Sequence, residues 1–328
     1  MKKKINVALV GSNFALKGYL PVIKKISQLK LKIICSRNIF KNINKKILSR
    51  DINYETNWKK IFNEKIDLII CAVPPIIQEK ILIYNLNFKK KIIFEKPIST
   101  NYIKSKYIVK KIKEKKIPCS INLTFIFHPL FIKVQNLIKK KTLGKVIKYE
   151  INWSFMSQDL NKKIKSWKTQ EKLGGGIKNI FLTHVFSYCE FLFGKNILKK
   201  YKFKSLKFKK IEYKKNIYCE LTNPKFVNGK INIFVKKKGY QSHYIKIFFE
   251  KGHLELFCKS KDWTKDFKLK IHYNPKNKIK NVKLVNNQKF PDGRSTQIHY
   301  LFAKFLKKFN YTNVNFALNA EKINNRIK

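Results

Sequence analysis

The sequence contains little arginine and few acidic residues. Arginine accounts for four of its 74 basic residues and only 19 residues are acidic, so the formal net charge is +55. Sequence-specific nucleic-acid binding relies on the bidentate contacts of arginine, and the lysines are spread along the whole chain. Alanine occurs only six times and glycine only 11 times, a composition typical of drift under an A+T-rich genome. The charge therefore indicates a solvated surface with weak polyanion binding, and no specific nucleic-acid partner is expected.

Paired cysteines and long apolar runs are also missing. The six cysteines lie far apart, with no C-x-x-C pair and no histidine at zinc spacing, which predicts buried reduced thiols and no metal site. No stretch approaches the roughly 18 uninterrupted apolar residues that a membrane span needs. Residues 1–11 are too short for a signal peptide and end in a glycine turn, so they predict a first strand. We expect a cytoplasmic protein with no membrane partner.

Residues 1–123 alternate short apolar runs with segments of helical periodicity. This alternation is typical of β-α-β units that build a parallel sheet. Buried strands are predicted at residues 5–10, 31–35, 68–73, 91–94 and 119–123. Glycine or proline follows three of these strands, at the sheet edge where open α/β sheets bind ligands. We expect residues 1–123 to bind a dinucleotide at that edge.

Residues 124–328 follow a different pattern, rich in β-branched and aromatic residues. Helices are predicted at 129–140, 295–308 and 316–326, a strand at 146–153, a glycine turn with an apolar helix at 174–193, and strands throughout 201–284. The length predicts about two domains. The predicted fold is α/β: a parallel-sheet domain, then an α+β domain with a large open antiparallel sheet.

A shortened dinucleotide fingerprint follows the first strand. The turn is Gly11-Ser12-Asn13-Phe14, whereas the full G-x-G-x-x-G pattern has three glycines that let backbone approach a pyrophosphate. Asn13 stands at the second glycine position, and asparagine tolerates positive φ better than other non-glycine residues. Gly11, Ser12, Asn13 and Phe14 are predicted to contact the cofactor. The alternative is an ordinary strand-to-helix turn.

The second strand ends in Ser36-Arg37 and lacks the acidic residue that holds the ribose diol of NAD. A hydroxyl followed by arginine suits the 2′-phosphate of NADP, through a hydrogen bond and a bidentate guanidinium contact. NADP is therefore the predicted cofactor and NAD the alternative. The simpler interpretation of Arg37 is an incidental surface arginine.

Two further strand ends carry Ala72, Val73 and Pro74, and Glu95, Lys96 and Pro97, all predicted to border the cofactor. A lysine in a partly desolvated crevice has a lowered pKa and can exchange a proton with a substrate hydroxyl while the carbon loses hydride. A cis bond before Pro97 would aim Lys96 at the cofactor. The alternative for Lys96 is a solvated side chain at a strand end.

The run Gly174-Gly175-Gly176 precedes His184 by eight residues. Because three glycines are costly in conformational entropy, we expect them to let the backbone approach a ligand. His184 lies about two turns into the following apolar helix, where it is either catalytic or an ordinary core histidine. Trp167 and Thr183 are predicted to contact substrate together with Lys96 and His184, with core packing as the alternative.

In this order the motifs resemble the Gfo/Idh/MocA family of NAD(P)-dependent sugar and cyclitol oxidoreductases. The matching segments span nearly the whole chain: 10–21, 71–75, 95–97, 128–129, 143–146, 174–176 with His184, and 292–294. The resemblance implies an amino-terminal Rossmann domain and a carboxyl-terminal α/β domain whose open sheet often mediates oligomerisation, so a homo-oligomer, dimer or tetramer, is expected. It also implies that Lys96 and His184 assist proton transfer and orient the sugar hydroxyl.

The chain departs from the family pattern at Ile180, where many members carry an aspartate four residues before the histidine. Without this aspartate, the histidine lacks a group that would orient it. The leading prediction is an NADP-preferring oxidoreductase of carbohydrate metabolism that transfers a hydride to or from a sugar, nucleotide-sugar or polyol carbon. The alternatives are a catalytically impaired relative, acting as a dinucleotide-binding sensor or assembly partner, and, on charge alone, a nucleic-acid-binding module.

Overall fold

The structure is a computed structural model, and it describes residues 4–37, 51–157, 159, 162, 164–208, 211–236, 241–260, 264, 266–274, 278–282 and 290–327. Parts of the predicted strand-rich stretch 201–284 lie outside these residues. The chain forms two compact units. The first unit spans Met1–Leu123 and Phe290–Leu318, and the second spans Thr124–Lys289 and Asn319–Lys328. A single domain boundary after residue 123 would assign Phe290–Leu318 to the second unit. The contacts of this segment group it with the first unit.

The described residues of the first unit contain a six-stranded sheet in which all neighbouring strands are parallel. Its strands are β1 (Ile5–Val10), β2 (Leu29–Cys35), β3 (Asn53–Glu55), β4 (Leu68–Cys71), β5 (Lys91–Glu95) and β6 (Cys119–Asn122). The order is β3-β2-β1-β4-β5-β6, that of a Rossmann sheet. Every residue of β4 and β6 is buried, as expected for a parallel sheet covered on both faces. The parallel sheet predicted from the sequence is confirmed.

Some of the described helices begin at a side chain that caps them. The described helices are α1 (Leu20–Lys25), α2 (Pro75–Phe88), α3 (Tyr102–Glu114), α4 (Pro129–Lys139), α5 (Thr183–Phe193), α6 (Gly293–Lys307) and α7 (Thr312–Asn324). The Asn101 side chain caps α3 by accepting a hydrogen bond from the Lys104 amide, and Asp292 caps α6 through the Arg294 amide. Two π-helical turns, Ala15–Tyr19 and Lys178–Leu182, lead into α1 and α5.

The second unit contains an eight-stranded sheet in the described residues, with strand order β14-β13-β12-β11-β7-β10-β9-β8. Its strands are β7 (Val146–Phe155), β8 (Ile197–Phe208), β9 (Ile211–Thr222), β10 (Asn228–Val235), β11 (Gln241–Phe249), β12 (Gly252–Ser260), β13 (Lys268–Tyr273) and β14 (Lys278–Val282). Neighbours are antiparallel except β7 and β10, which are parallel. The predicted large sheet is therefore confirmed, with one parallel pair inside it.

The strands of the second sheet bury one face. Residues of β11 alternate between buried and half-exposed, and β12 follows the same rule up to Cys258. This period of two is typical of a sheet packed on one side only. The half-exposed positions of β11, β12 and β13 form what we call the outer face, which includes Lys246, His253, Glu255 and His272.

Two expectations about the side chains and helices can be compared with the described residues. Cys35, Cys71, Cys119, Cys189, Cys219 and Cys258 are all described, buried and free of disulfide bonds, so the prediction of buried thiols is confirmed. No helix within the described ranges is long and apolar enough to cross a membrane.

Candidate active site

The carboxyl edge of the first sheet brings together the loops that follow β1, β4 and β5. The Ala72 amide donates a hydrogen bond to Val10 O, and the Gly11 amide donates to Cys35 O, both at 2.8 Å. Gly11 has a φ of +124°, and a Cβ there would overlap the carbonyl oxygen of Ala72. Only glycine fits this position, so the backbone beside Ala72 stays free of a side chain.

The turn after Gly11 leads directly into helix. The Asn13 carbonyl accepts a hydrogen bond from the Lys17 amide at 3.1 Å, so the turn is helical from its second residue onward. Asn13 is not among the described residues with a positive φ, so the tolerance of asparagine for that conformation is not used here. It is an ordinary first-turn residue. The following π-helical turn, Ala15–Tyr19, is a feature that the sequence analysis did not predict and that is frequent at functional sites.

The start of α6 packs on this turn. The guanidinium of Arg294 lies 4.1 Å from the centre of the Phe14 ring, within cation–π distance. Two hydrogen bonds, Nε to Asp292 Oδ1 at 2.9 Å and Nη2 to Oδ2 at 2.6 Å, hold the guanidinium in that orientation. Ser295 Oγ donates to the Gly18 carbonyl at 2.8 Å. The Asp292-Gly293-Arg294 motif therefore braces the predicted cofactor turn.

Ser36 and Arg37 follow β2 at the same edge. Ser36 is half-buried and its amide donates to the Glu55 carbonyl at 2.9 Å, while Arg37 is exposed. Glu55 ends β3, opposite Cys35, and its carboxylate lies 3.4 Å from Lys60 Nζ. No acidic residue follows β2 in the sequence, and the local pattern does not predict Glu55 beside it. The pairing of β2 with β3 creates that proximity.

The Glu95 side chain is the centre of a polar network beneath the Lys96 turn. Its Oε1 accepts hydrogen bonds from Tyr19 Oη at 2.6 Å and from Asn122 Nδ2 at 2.8 Å. Burial raises the pKa of Glu95 above its usual value, although these two hydrogen bonds oppose the rise. Burial, reinforced by the Glu95 charge, also raises the pKa of Tyr19. The network ties the ends of β5 and β6 to the first helix.

Gln78, in the first turns of α2, holds the backbone on both sides of Lys96. Its Oε1 accepts from the Glu95 amide at 2.9 Å, and its Nε2 donates to the carbonyls of Glu95, Pro97 and Ile98 at 2.6, 2.8 and 3.1 Å. The Lys96–Pro97 bond is cis, as predicted. Lys96 itself is half-buried. Gln78 was not predicted from the sequence; it is one of three polar residues, with Glu79 and Asn85, on the buried face of α2.

In the second unit, Thr183 and His184 open α5 immediately after a π-helical turn. Asn324 Nδ2 donates to Thr183 Oγ1 at 2.9 Å and to the Lys178 carbonyl at 3.0 Å. His184 is only 4% exposed, and its ring meets the Phe125 ring edge to face at 5.4 Å. The start of α5, which carries both predicted substrate residues, is thus fixed by Asn324 and by aromatic packing.

An aromatic cluster lies beneath His184. Phe125 also packs against Trp153, Tyr188 and His243, with ring centres 5.5, 5.5 and 5.0 Å away. The His243 ring stacks on Trp153 at 4.4 Å, and its Nε2 lies 3.0 Å from Tyr188 Oη. Burial lowers the pKa of His243 to about 3, so this histidine is neutral at physiological pH. The cluster therefore packs around Phe125 beside His184 without adding a charged histidine.

The glycine run packs against the chain itself. Gly174 and Gly176 have φ values of +82° and +80°. A Cβ on Gly175 would overlap the Trp167 carbonyl oxygen and lie 2.7 Å from the Lys168 carbonyl carbon. The close backbone approach expected for the glycines is therefore made to the turn Trp167–Thr169. Trp167, predicted to contact substrate, is half-buried in that turn.

Comparison with known proteins agrees with this geometry. Residues 5–123 match the profile of the GFO/IDH/MocA oxidoreductase family, NAD-binding Rossmann fold, and residues 135–296 match the C-terminal alpha/beta domain of the same family. The chain belongs to the Gfo/Idh/MocA oxidoreductase family. It is accordingly a dehydrogenase or reductase with a nicotinamide dinucleotide, NAD or NADP, as cofactor.

Several individual proteins are similar to this chain over most of their length. KijD10, a 3-ketoreductase from Actinomadura kijaniata in complex with NADP and TDP-benzene, is 13% identical, with a TM-score of 0.79 over 98% of this chain and 96% of that one. Levoglucosan dehydrogenase in complex with NADH is 13% identical, with a TM-score of 0.77 over 99% and 98%. The uncharacterized oxidoreductase sll0816 of Synechocystis sp. is 21% identical over 93% of this chain and 87% of its own.

The first unit fits the cofactor of a Gfo/Idh/MocA protein. The position of Gly11 excludes a side chain beside Ala72, and a helix begins directly after the turn, so that backbone amides at its start suit a pyrophosphate. Residues Gly11–Phe14 would hold that group, and the ends of β4 and β5 would flank the nicotinamide. When bound, the cofactor supplies a hydride acceptor or donor.

The position of the family's usual aspartate is occupied by Ile180. This residue lies on the π-helical turn Lys178–Leu182 and is half-exposed. The side chains that fix the turn include Asn324 and Asn179, whose Nδ2 donates to the Gly175 carbonyl at 2.8 Å. Lys178 of the turn also pairs with Glu171 at 3.1 Å, and Phe181 stacks on Phe155. In this Gfo/Idh/MocA protein the turn before His184 therefore has polar and aromatic supports and carries an apolar residue at the position of the usual aspartate.

Proposed function

We propose that the protein is an NADP(H)-preferring oxidoreductase that transfers a hydride to or from a sugar, nucleotide-sugar or polyol carbon. The observation that carries the proposal is the clamp on the Lys96 turn: Gln78 holds the backbone before and after Lys96 at the carboxyl edge of the sheet. KijD10 is a ketoreductase seen with NADP and a nucleotide compound, and levoglucosan dehydrogenase acts on a sugar derivative. These similarities support the substrate class.

Lys96 and His184 have separate roles in this proposal. In the oxidative direction the unprotonated Nζ of Lys96 takes the substrate hydroxyl proton, while the carbinol carbon gives up its hydride and becomes a carbonyl carbon. In the reductive direction the carbonyl carbon accepts a hydride, and the protonated Nζ gives its proton to the carbonyl oxygen, which becomes the hydroxyl. His184 would hold the reacting oxygen, with Thr183 and Trp167 also on the substrate side. The polar clamp and the aromatic packing keep the two side chains in place.

NADP is favoured over NAD because Ser36 and Arg37 follow β2, where a 2′-phosphate would meet a hydroxyl and a guanidinium. Quenching of tryptophan fluorescence on titration with NADPH and, separately, NADH tests this. We expect Arg37→Ala to weaken NADPH binding about 10- to 100-fold, since hydrogen bonds to charged groups contribute roughly 1.5–3 kcal/mol. NADH binding should stay unchanged.

The matched control for this titration is Arg326→Ala, which removes another exposed arginine. An equal loss in both variants would mean that only the overall charge attracts NADPH. Binding of neither nucleotide to the wild-type protein would overturn the proposed function.

A second candidate function is a catalytically impaired relative that binds the dinucleotide as a sensor or assembly partner. The half-exposed Ile180 at the family's usual aspartate position favours it. Cofactor binding without turnover of any sugar or polyol would support this alternative, especially if Ile180→Asp restored turnover. Turnover by the wild-type protein that is lost in Lys96→Ala would exclude it.

We extend the proposal to a cytoplasmic homo-oligomer, a dimer or tetramer, in which residues 124–328 contact substrate and neighbouring subunits. Half-exposed aromatic residues on the outer face support this, among them Tyr244, Phe248 and Phe257. Light scattering of the purified protein measures its mass in solution. A monomer at all concentrations would contradict this part of the proposal.

A further inference from the structure

The outer face of the second sheet carries a group of side chains that the proposed reaction does not use. His253 and Glu255 lie two residues apart on β12, so both point to the same face of the strand. His272 lies on β13, directly opposite His253 in the antiparallel register. Residues 253, 255 and 272 therefore meet on one surface, although 17 or more positions separate His272 from the other two.

The atoms of these three side chains converge. The imidazole rings of His253 and His272 stack with their centres 4.1 Å apart and 10° between their planes. Nε2 of His253 lies 3.9 Å from Glu255 Oε1, and Nε2 of His272 lies 3.7 Å from Oε2. One candidate ligand atom from each residue lies within 4.8 Å of the others. Both carboxylate oxygens thus face an imidazole nitrogen at slightly more than hydrogen-bond distance.

One of the converging atoms lacks a hydrogen-bond partner among the described residues. Nε2 of His272 is buried and makes no hydrogen bond to any described residue. A buried polar atom without a partner is costly, and a bound ion is one of the few groups that satisfies it. This observation is independent of the clustering itself and points to a ligand between the rings and the carboxylate.

The neighbouring tyrosine and lysine contact only one of the two carboxylate oxygens of Glu255. Tyr244 Oη donates to Glu255 Oε1 at 2.6 Å, and Lys246 Nζ lies 3.5 Å from the same oxygen. Among the described residues these contacts are made to Oε1, whereas the contact of Oε2 is with His272. Tyr244 and Lys246 hold the carboxylate in an orientation that presents Oε2 to His272.

We propose that His253, Glu255 and His272 form a binding site for Zn²⁺. Two imidazoles and one carboxylate are a donor set that zinc prefers, and three protein ligands leave a fourth tetrahedral position for water. Nitrogen and oxygen ligands at zinc distances of about 2.0–2.2 Å require the three groups to close around the ion. The two stacked rings must also tilt, because the lone pair of an imidazole nitrogen lies in the plane of its ring. The bound ion would link β12 to β13 on the outer face. The site is independent of the cofactor and of the proposed reaction.

Zinc binding is measured on the full-length protein without affinity-tag histidines, after treatment with a chelator. A competitive titration against a fluorescent zinc indicator gives the affinity and the stoichiometry. Co²⁺ replaces zinc for absorption spectroscopy, because its visible bands report nitrogen and oxygen ligation in a tetrahedral site. We expect one ion per chain at the high-affinity site.

Variants distinguish this site from adventitious binding. His272→Gln and Glu255→Gln should each weaken zinc binding by at least ~10-fold and remove the Co²⁺ bands. His299→Gln, which alters a histidine of α6 in the first unit, is the matched control and should bind as the wild type does. Circular dichroism of each variant verifies that the fold is kept.

Lys246→Met gives a test in the opposite direction. It removes an ammonium group 3.5 Å from Glu255 Oε1, so zinc should bind more tightly. No zinc binding to the wild-type protein, or equal binding by wild type and His272→Gln, would overturn the proposal. Because neither readout involves the cofactor or turnover, such a result leaves the proposed oxidoreductase function unaffected.

Discussion

The two candidate catalytic residues are held by different kinds of contact. Around Lys96 the supports are polar: Gln78 satisfies the backbone of the turn, and Tyr19 and Asn122 satisfy the Glu95 carboxylate. Around His184 the supports are mainly aromatic, with Phe125 in edge-to-face contact. A polar clamp fixes a turn through directional bonds, whereas aromatic packing fixes a side chain through its volume. We therefore expect substitutions around Lys96 and substitutions around His184 to affect activity and stability in different ways.

The largest expected effect comes from removing the proton-transferring group. Lys96→Ala should lower kcat by about 10²–10⁴-fold, the usual contribution of a positioned acid or base. NADPH affinity should change little. Lys91→Ala removes an exposed lysine at the other end of β5 and serves as the control. Steady-state kinetics on a polyol or keto-sugar substrate measures both. Full activity in Lys96→Ala would refute its proposed role.

The aromatic support is tested by truncating Phe125. Phe125→Ala should destabilise the protein by about 3–5 kcal/mol, as large core deletions do, and should also lower kcat because the His184 ring loses its contact. Phe186→Ala, a fully buried residue on the same helix as His184, should cost similar stability. Urea unfolding measures the loss of stability, and steady-state kinetics measures the change in kcat. If both variants lowered kcat equally, Phe125 would have no specific effect on His184.

The polar clamp is tested by a pair of variants in α2. Gln78→Leu leaves the backbone groups of the Lys96 turn unpaired, at a cost of about 1–3 kcal/mol per buried group, and should lower kcat. Asn85 makes a similar clamp at the other end of α2, with hydrogen bonds to and from Lys90 at 2.9 and 3.1 Å. Asn85→Leu should lower the free energy of unfolding without changing kcat. A normal kcat in Gln78→Leu would show that the clamp does not position Lys96.

The smallest effect concerns pH. Burial raises the folded-state pKa of Glu95 above 4.5, so between the unfolded and folded pKa values the folded state binds more protons. Stability contributed by this group then falls as pH rises through that window. Glu95→Gln should lack this component. Urea unfolding of both proteins at several pH values from about 4.5 upward measures the difference. A difference that stays constant with pH would mean that Glu95 is not perturbed.

The local patterns predicted the architecture well. Apolar runs predicted the parallel strands because a strand buried on both faces must be apolar throughout, and β11 and β12 alternate as a sheet packed on one side does. The same patterns missed the short strand β3 and both π-helical turns. A three-residue strand has too few residues for a period, and a π-helical turn differs from an α-helix only in its hydrogen bonding.

For the candidate sites, the sequence alone determined which residues can do chemistry and on which strand ends and helices they lie: Lys96, His184, Gly11 and Arg37. Tertiary structure decided what surrounds them, namely Gln78 against the Lys96 turn, Glu55 beside Ser36, and Phe125 against His184. It also placed His253 opposite His272, a proximity that the spacing of these histidines in the sequence does not show. The physical reason is that periodicity reports burial within one element, whereas strand register and packing between elements set which distant side chains meet.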